Sequence, residues 1–263
     1  MLDIYQFKDF SKHEILMHGI TKKDTSLPYD FSLALHTGEK KETIIENRKH
    51  LLSIWDTNRP THFVLANQTH SDHIYIICNN KTRGWLTLDD AIEDCDALIT
   101  DVSNIILSIL TADCVPILLY DTNKNVVAAI HAGWKGTKAN IVYKTVQKMI
   151  EVYGSNPNDI KAGIGPSIGE CCYEVGYDVA KHFSDIPQAY TKKTDKYMLN
   201  LPNINYHQLL DAKLLAKNIE LSHICTACDV KNYFSYRKEK GCTGRFISMI
   251  GMRDEHKNYE VEK

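Results

Sequence analysis

The chain has 263 residues, enough for one large domain or two small ones at about 150 residues each. Hydrophobic residues at 43% and charged residues at 24% are ordinary globular values and exclude a disordered or fibrous chain. With 31 Lys and Arg against 33 Asp and Glu, the net charge is -2, which argues against a nucleic-acid partner held by phosphate contacts.

No apolar run approaches the roughly 18 residues of a membrane helix, so no membrane partner is expected. The longest apolar region, residues 104–121, is interrupted by Ser, Thr, Asp and Pro. The first residues lack a basic segment followed by an apolar one, which reads against a secretory leader. The 8 cysteines are therefore expected in a reducing cytoplasm, as buried thiols, ligands or nucleophiles rather than a disulfide framework.

In chain order, the first sixty or so residues read as polar and irregular, apart from a helix over Glu42–Ile54. Runs of strand length follow at 62–66, 73–78, 96–100, 104–111, 115–121 and 125–131. The period then changes. Val142, Val146, Met149, Ile150 and Tyr153 fall at helical spacing, and Gly154 stops the helix. Further strands are expected at 160–165, 196–201, Val230–Tyr236 and 245–252, with helices from Gly176 to Phe183 and from Ile204 to Ile219. Leu209, Leu210, Leu214 and Leu215 supply the apolar face of the last helix. No linker or repeat divides the chain, so a single domain over 1–263 is expected, with a polar tail from about 253. Adjacent strands followed by helices indicate an α+β class.

Three segments place a soft or borderline metal ligand at a strand end beside small residues. They are Asn67–Ser71 with His70, Thr111–Pro116 with Cys114, and Ala129–Gly136 with His131. One Cys and two His form the protein side of a zinc site whose fourth position stays open. Ligand type alone leaves copper possible. A lone strand-end histidine is more often structural, and a cysteine between Asp and Val-Pro is ordinarily core. Asp113 inside an otherwise apolar segment argues for a site, because a charge there needs a reason. Gly133 and Gly136 let the backbone approach a ligand closely.

The segments TADCVPILLYD, AAIHAGWKGT, GIGPSIGECCYEVG and NYFSYRKEKGCTGRFISMIG resemble the four signature blocks of the laccase-domain family. The early MHGIT, SLPYDFSLALHTG, ENR and NQTH segments resemble its N-terminal pattern, in order, so the likeness runs from about Ile15 to Met252. Members have been called polyphenol oxidases and, more recently, purine nucleoside phosphorylases with adenosine deaminase activity. The resemblance implies that His70, Cys114 and His131 are zinc ligands. It also implies a layered α+β sandwich of mixed sheets flanked by helices, distantly like bacterial toxin cysteine deamidases. Three positions depart from the pattern: Ser71 stands for Gly, Lys135 for Arg and Asn200 for Asp. Lys135 replaces a bidentate fork by a point charge, which weakens anion contact.

Other residues are weighed on their own. Cys225-Thr-Ala-Cys228 lacks a matching second pair, and the adjacent Cys171-Cys172 does not supply one in that form, so buried thiols are expected. His73 is expected at the surface. Arg48, Lys135, Arg237 and Arg245 are candidates to hold phosphate, the last two with hairpin salt bridges as the alternative. Asp113 and Glu174 are candidates for proton transfer, with Cys114 and His131 beside them in the catalytic set. Tyr173 and Glu174 line the pocket or cap the helix that follows.

The expected function is phosphorolysis of purine nucleosides (adenosine, inosine and methylthioadenosine) with zinc-dependent deamination of adenosine. Nucleosides and phosphate are the expected partners of a monomer or homodimer. A copper-dependent phenol oxidase is the first alternative, although the chain has no H-x-H pair. The second is a metal-free amide hydrolase with Cys114 as nucleophile and His131 as base.

Overall fold

The computed structural model describes residues 3–54 and 61–254. The chain begins with β1 (Ile4–Tyr5), β2 (Leu16–Thr21), α1 (Lys41–Ile54), β3 (His62–Leu65), β4 (Ile74–Ile76) and β5 (Ala97–Thr100). Three long strands follow, β6 (Ile105–Thr111), β7 (Val115–Asp121) and β8 (Val126–Ala132), then α2 (Trp134–Lys138) and α3 (Ile141–Tyr153). The rest comprises β9 (Ile160–Ile164), β10 (Glu174–Val175), α4 (Tyr177–Ala180), β11 (Tyr190–Lys193), β12 (Lys196–Leu199), α5 (Leu201–Asp211), β13 (Ile219–Leu221) and β14 (Phe246–Met252).

These strands form a five-stranded sheet in the order β1-β2-β14-β6-β3 and a six-stranded sheet in the order β13-β9-β7-β8-β5-β4. A small sheet, β10-β12-β11, stands apart from both. Both large sheets mix parallel and antiparallel pairs, as expected for the α+β class.

The two large sheets pack face to face. Ile105, Leu107 and Ile109 of β6 share one core with Leu118 and Tyr120 of β7 and with Val127 and Ala129 of β8. Alternate residues of each strand point the other way. Ile106 and Leu110 join Phe31, Leu33, Leu51 and Trp85 on the outer side of the first sheet. Val115, Ile117 and Leu119 join Val142, Val146 and Met149 of α3 and Ile204 and Leu209 of α5 beyond the second. Both faces of the central strands are therefore covered, which is why they read as largely apolar runs rather than as alternating ones. Each fully buried aliphatic side chain contributes about 1.5–3 kcal/mol relative to exposure.

Three expectations are corrected. The N-terminal segment is not irregular: β2 is buried along its whole length between β1 and β14. The helix expected over Ile204–Ile219 starts at Leu201, capped by the Asn200 side chain, and ends at Asp211. Lys213 then takes φ 73°, and Ile219 belongs to β13, with Leu215 exposed. Residues 230–236 form turns rather than a strand, with Asn232 bonded back to Asp229 and Tyr233 and Phe234 plugged into the inter-sheet core. Of the polar tail, only Arg253 and Asp254 fall within the described residues. Among the described residues, no helix is long and apolar enough to cross a membrane.

Candidate functional site

The sheet register brings the three ligand candidates together. β3 and β6 run parallel, with Leu65 beside Ser108, so the loops carrying His70 and Cys114 leave the first sheet side by side. Between Thr111 and Val115 the chain crosses from the first sheet to the second. There Pro116 of β7 lies opposite His131 of β8, which delivers His131 to Cys114. The donor atoms of His70, Cys114 and His131 lie within 4.8 Å of one another, and Cys114 Sγ is 3.7 Å from His70 Nε2.

One residue that sequence reasoning missed holds two of the three in place. Asp96, just before β5, is 1% exposed, and β5 pairs with β8 through Ala97 and Ile130. Its carboxylate accepts from His131 Nδ1 at 2.6 Å. It also accepts from the main-chain N–H groups of Thr69, His70 and Ser71, at 3.2, 3.1 and 2.6 Å. The Ser71 hydroxyl adds a bond at 2.7 Å, so the serine that replaces the expected glycine tightens the loop. These contacts hold His70 at φ 63°, a left-handed conformation that a histidine seldom adopts unaided. The sequence signal was weak: Asp96 opens an apolar strand but ends an acidic stretch with Glu93 and Asp94, unlike Asp113, which stands inside an apolar segment.

Electrostatics follow from the geometry. Burial alone would raise the Asp96 carboxyl, but His131 and the Ser71 donors outweigh it and hold the group at about 2. Burial likewise opposes the Cys114 thiolate, yet the neighbouring His131 and His70 draw the thiol down to about 6. His131 goes the other way, raised against burial by Cys114 and Asp96. With Nδ1 committed to Asp96, His131 offers Nε2 to the cluster. Gly133 completes the cradle, since a Cβ there would lie 2.7 Å from His70 Cδ2 and 3.1 Å from Cys114 Sγ. One sulfur, two imidazole nitrogens and a carboxylate behind one imidazole form a donor set that could hold a metal ion.

The cluster opens into a cavity of about 570 Å³, within the usual range for a small-molecule site. Lys135, Arg237 and Arg245 line it, with Trp134 and Tyr173. The Arg237 guanidinium lies over the Tyr173 ring at 5.1 Å and donates to the Glu174 carbonyl at 2.7 Å. Its own N–H donates to Asp113 Oδ2 at 2.7 Å, and Thr226 Oγ1 donates to Asp113 Oδ1 at 2.7 Å. Asp113 thus borders the cavity at φ 91°, with each carboxylate oxygen already accepting one bond.

Two expected site residues sit differently: Arg48 belongs to the buried wall of the cavity, and Glu174 lies outside its lining. Arg48 is 0% exposed and stacks on Trp85. It donates to the carbonyls of Leu33, Gly84 and Trp85, so its donors are committed to main chain rather than to phosphate. Glu174 is exposed on β10, with its carboxylate 3.9 Å from Lys196; only its main chain serves the site, as acceptor for Arg237. His73 is a surface residue paired with Asp94 at 2.9 Å, as expected. Asn200, standing where the pattern has Asp, caps α5.

Residues 18–253 match the family model described as multi-copper polyphenol oxidoreductase laccase. The chain belongs to this family. It is 35% identical over 256 residues to a purine nucleoside phosphorylase of Clostridium acetobutylicum, covering 95% of this chain and 97% of the relative. It is 36% identical over 197 residues to an adenosine deaminase of an unknown prokaryotic organism, covering 71% and 74%. The crystal structure of the Bacillus licheniformis hypothetical protein YfiH superposes with a TM-score of 0.88 at 33% identity, covering 95% of this chain and 96% of that one.

Proposed function

We propose that this chain is a purine nucleoside phosphorylase, acting on adenosine, inosine and methylthioadenosine, that also deaminates adenosine with a zinc ion held by His70, Cys114 and His131. The observation that carries this reading is a one-sulfur, two-imidazole cluster opening into a cavity that also holds Lys135, Arg237 and Arg245. The names of the two relatives support it.

When bound, zinc supplies Lewis-acid activation of water for addition at C6 of adenine. Asp96 keeps His131 Nδ1 protonated, leaves Nε2 for coordination, and fixes the His70 loop through three main-chain donors. Trp134 and Tyr173 offer aromatic faces to the purine. In phosphorolysis, Arg237, Arg245 and Lys135 hold the phosphate against C1′ of the ribose. A phosphate oxygen bonds to C1′ while the C1′–N9 bond breaks, and its electron pair leaves with the base. Asp113 positions Arg237 for this step through the Arg237 main chain. The same reading places the chain in the cytoplasm, where reduced thiols persist, as a monomer or homodimer.

A second reading has one observation in its favour. Cys114, His131 and Asp96 also form the order nucleophile, base and orienting acid of a cysteine hydrolase, with the thiol lowered and the imidazole raised. Copper-dependent phenol oxidation, suggested by the family's description, lacks paired-histidine motifs.

Product analysis decides between these readings. Adenosine supplied with phosphate should give adenine and ribose 1-phosphate, and without phosphate it should give inosine. No turnover of adenosine or inosine in either condition would reject the proposal. Oxidation of phenols by copper-loaded protein, with nucleosides untouched, would replace it.

A further inference from the structure

The structure corrects the expectation of buried thiols at Cys225 and Cys228: Cys228 is exposed and Cys225 half-buried, and both lie beside Cys171 and Cys172. The reason is the edge of the second sheet. β13 pairs in parallel with β9, Leu221 beside Ile164, so both chains leave that edge in the same direction. They stay together beyond it: Ser167 N donates to the Ile224 carbonyl at 3.2 Å, and Thr226 N to the Ser167 carbonyl at 3.0 Å. Cys225 therefore lies against Gly169, and the turn after Gly169 presents Cys171 and Cys172 to Cys228.

All four sulfur atoms lie within 4.8 Å of one another. Cys228 Sγ is 3.5 Å from that of Cys171 and 3.4 Å from that of Cys172, and none of the four is in a disulfide. Four sulfurs at about 2.3 Å around one zinc ion sit about 3.8 Å apart, so the cluster is close to that size already. Core packing does not explain it, since Cys171 and Cys228 are exposed and a buried thiol behaves as a small hydrophobe. Two details point to a ligand shell. Gly169 N donates to Cys225 Sγ at 3.2 Å, as a main-chain donor does to a ligating thiolate. A Cβ on residue 169 would lie 3.3 Å from Cys225 Cβ and 3.4 Å from Cys171 Sγ, so a side chain there would press lightly on the cluster.

We propose that Cys171, Cys172, Cys225 and Cys228 bind a second metal ion, a zinc ion in a closed all-sulfur site. The four thiols release their protons to solvent as the ion binds. The ion has a structural role, stapling the turn before β10 to the loop after β13. Cys172 adjoins Tyr173, and Thr226, within the C-x-x-C, donates to Asp113, so the staple also steadies one wall of the nucleoside cavity.

The test is metal content and zinc-edge X-ray absorption on protein purified without added metal or oxidant. The Cys171→Ser/Cys228→Ser variant should lose one zinc equivalent that Cys114→Ala keeps, with far-UV circular dichroism reporting the fold of each. Cys114→Ala should show a shell of four sulfurs at about 2.3 Å. Should the serine variant not fold, the unmodified protein decides through its absorption spectrum, which must contain a four-sulfur zinc component. Full zinc retention in a folded Cys171→Ser/Cys228→Ser variant, iron in place of zinc, or an unmodified protein without that component overturns the proposal. Both outcomes stand whether or not the His70, Cys114 and His131 cluster holds zinc.

Discussion

The two clusters of sulfur and imidazole ligands differ in what surrounds them. His70, Cys114 and His131 mix donor types, open into a cavity of about 570 Å³, and lean on the buried carboxylate of Asp96. Cys171, Cys172, Cys225 and Cys228 use sulfur alone, with four donors already present for one ion, and only Cys171 and Cys225 border a second, smaller cavity. An open position beside a cavity lets a ligated ion meet a substrate, whereas a closed tetrathiolate shell can only tie loops together. The contrast assigns chemistry to the first cluster and cohesion to the second.

The largest effect expected from breaking this contrast is at Cys114. Cys114→Ala should bring adenosine deamination to the detection floor and remove one zinc equivalent, read by elemental analysis. The Cys171→Ser/Cys228→Ser pair should lower thermal stability while leaving measurable turnover. Equal loss of turnover in both would erase the distinction.

Asp96 comes next, because it supports two ligands of the open cluster and none of the closed one. Asp96→Asn should lower metal affinity or deamination by about 10- to 100-fold, with the sulfur cluster's zinc retained. Deamination within twofold of the unmodified protein would show that the carboxylate is dispensable.

Arg237→Ala sharpens the picture inside the cavity. Hydrogen bonds to charged groups contribute about 1.5–3 kcal/mol each, so phosphorolysis should need at least about tenfold more phosphate for the same rate. Deamination should change much less, since water attack needs no phosphate cradle. Steady-state kinetics with phosphate varied would separate the two, and a matched loss of both activities would make Arg237 a general pocket residue.

The last expected effect is on stability rather than turnover, in the sheet from which the His70 and Cys114 loops leave. His18 of β2 is 2% exposed and accepts from Phe7 N at 2.9 Å, and burial pushes it down from 6.5 to about 4. Above about pH 6.5 neither state is protonated there, and stability is fully present. As pH falls from 6.5 toward 4, the unfolded chain takes up a proton that the folded one refuses, so stability is lost by up to about 3 kcal/mol. Denaturant unfolding at several pH values should show this slope, flattened in His18→Asn. An unchanged slope in that variant would place the titration elsewhere.

Much of the open cluster was legible because its ligands mark strand ends in a chain whose long strands are apolar on both faces. The strand hidden in Leu16–Thr21 was not, since His18 and Gly19 break its apolar run and only pairing with β14 explains its burial. Tyr233 and Phe234 read as strand because turns that plug a core carry the same aromatic residues. Arg48 looked like an anion binder, and only the fold shows three carbonyls taking its donors. The sulfur cluster was illegible for a different reason. It depends on parallel pairing of β9 with β13, a contact between distant segments that no local spacing encodes.

The central claim is that Cys114 serves as a metal ligand in a nucleoside-converting site rather than as a nucleophile. The most direct measurement is the alkylation rate of Cys114, followed by peptide mass spectrometry before and after chelation and during adenosine turnover. The expected result is slow alkylation in zinc-loaded protein, fast alkylation once zinc is removed, and no adduct on the sulfur during turnover. Fast alkylation in both states, a covalent intermediate on Cys114, or turnover that survives complete zinc removal would contradict it.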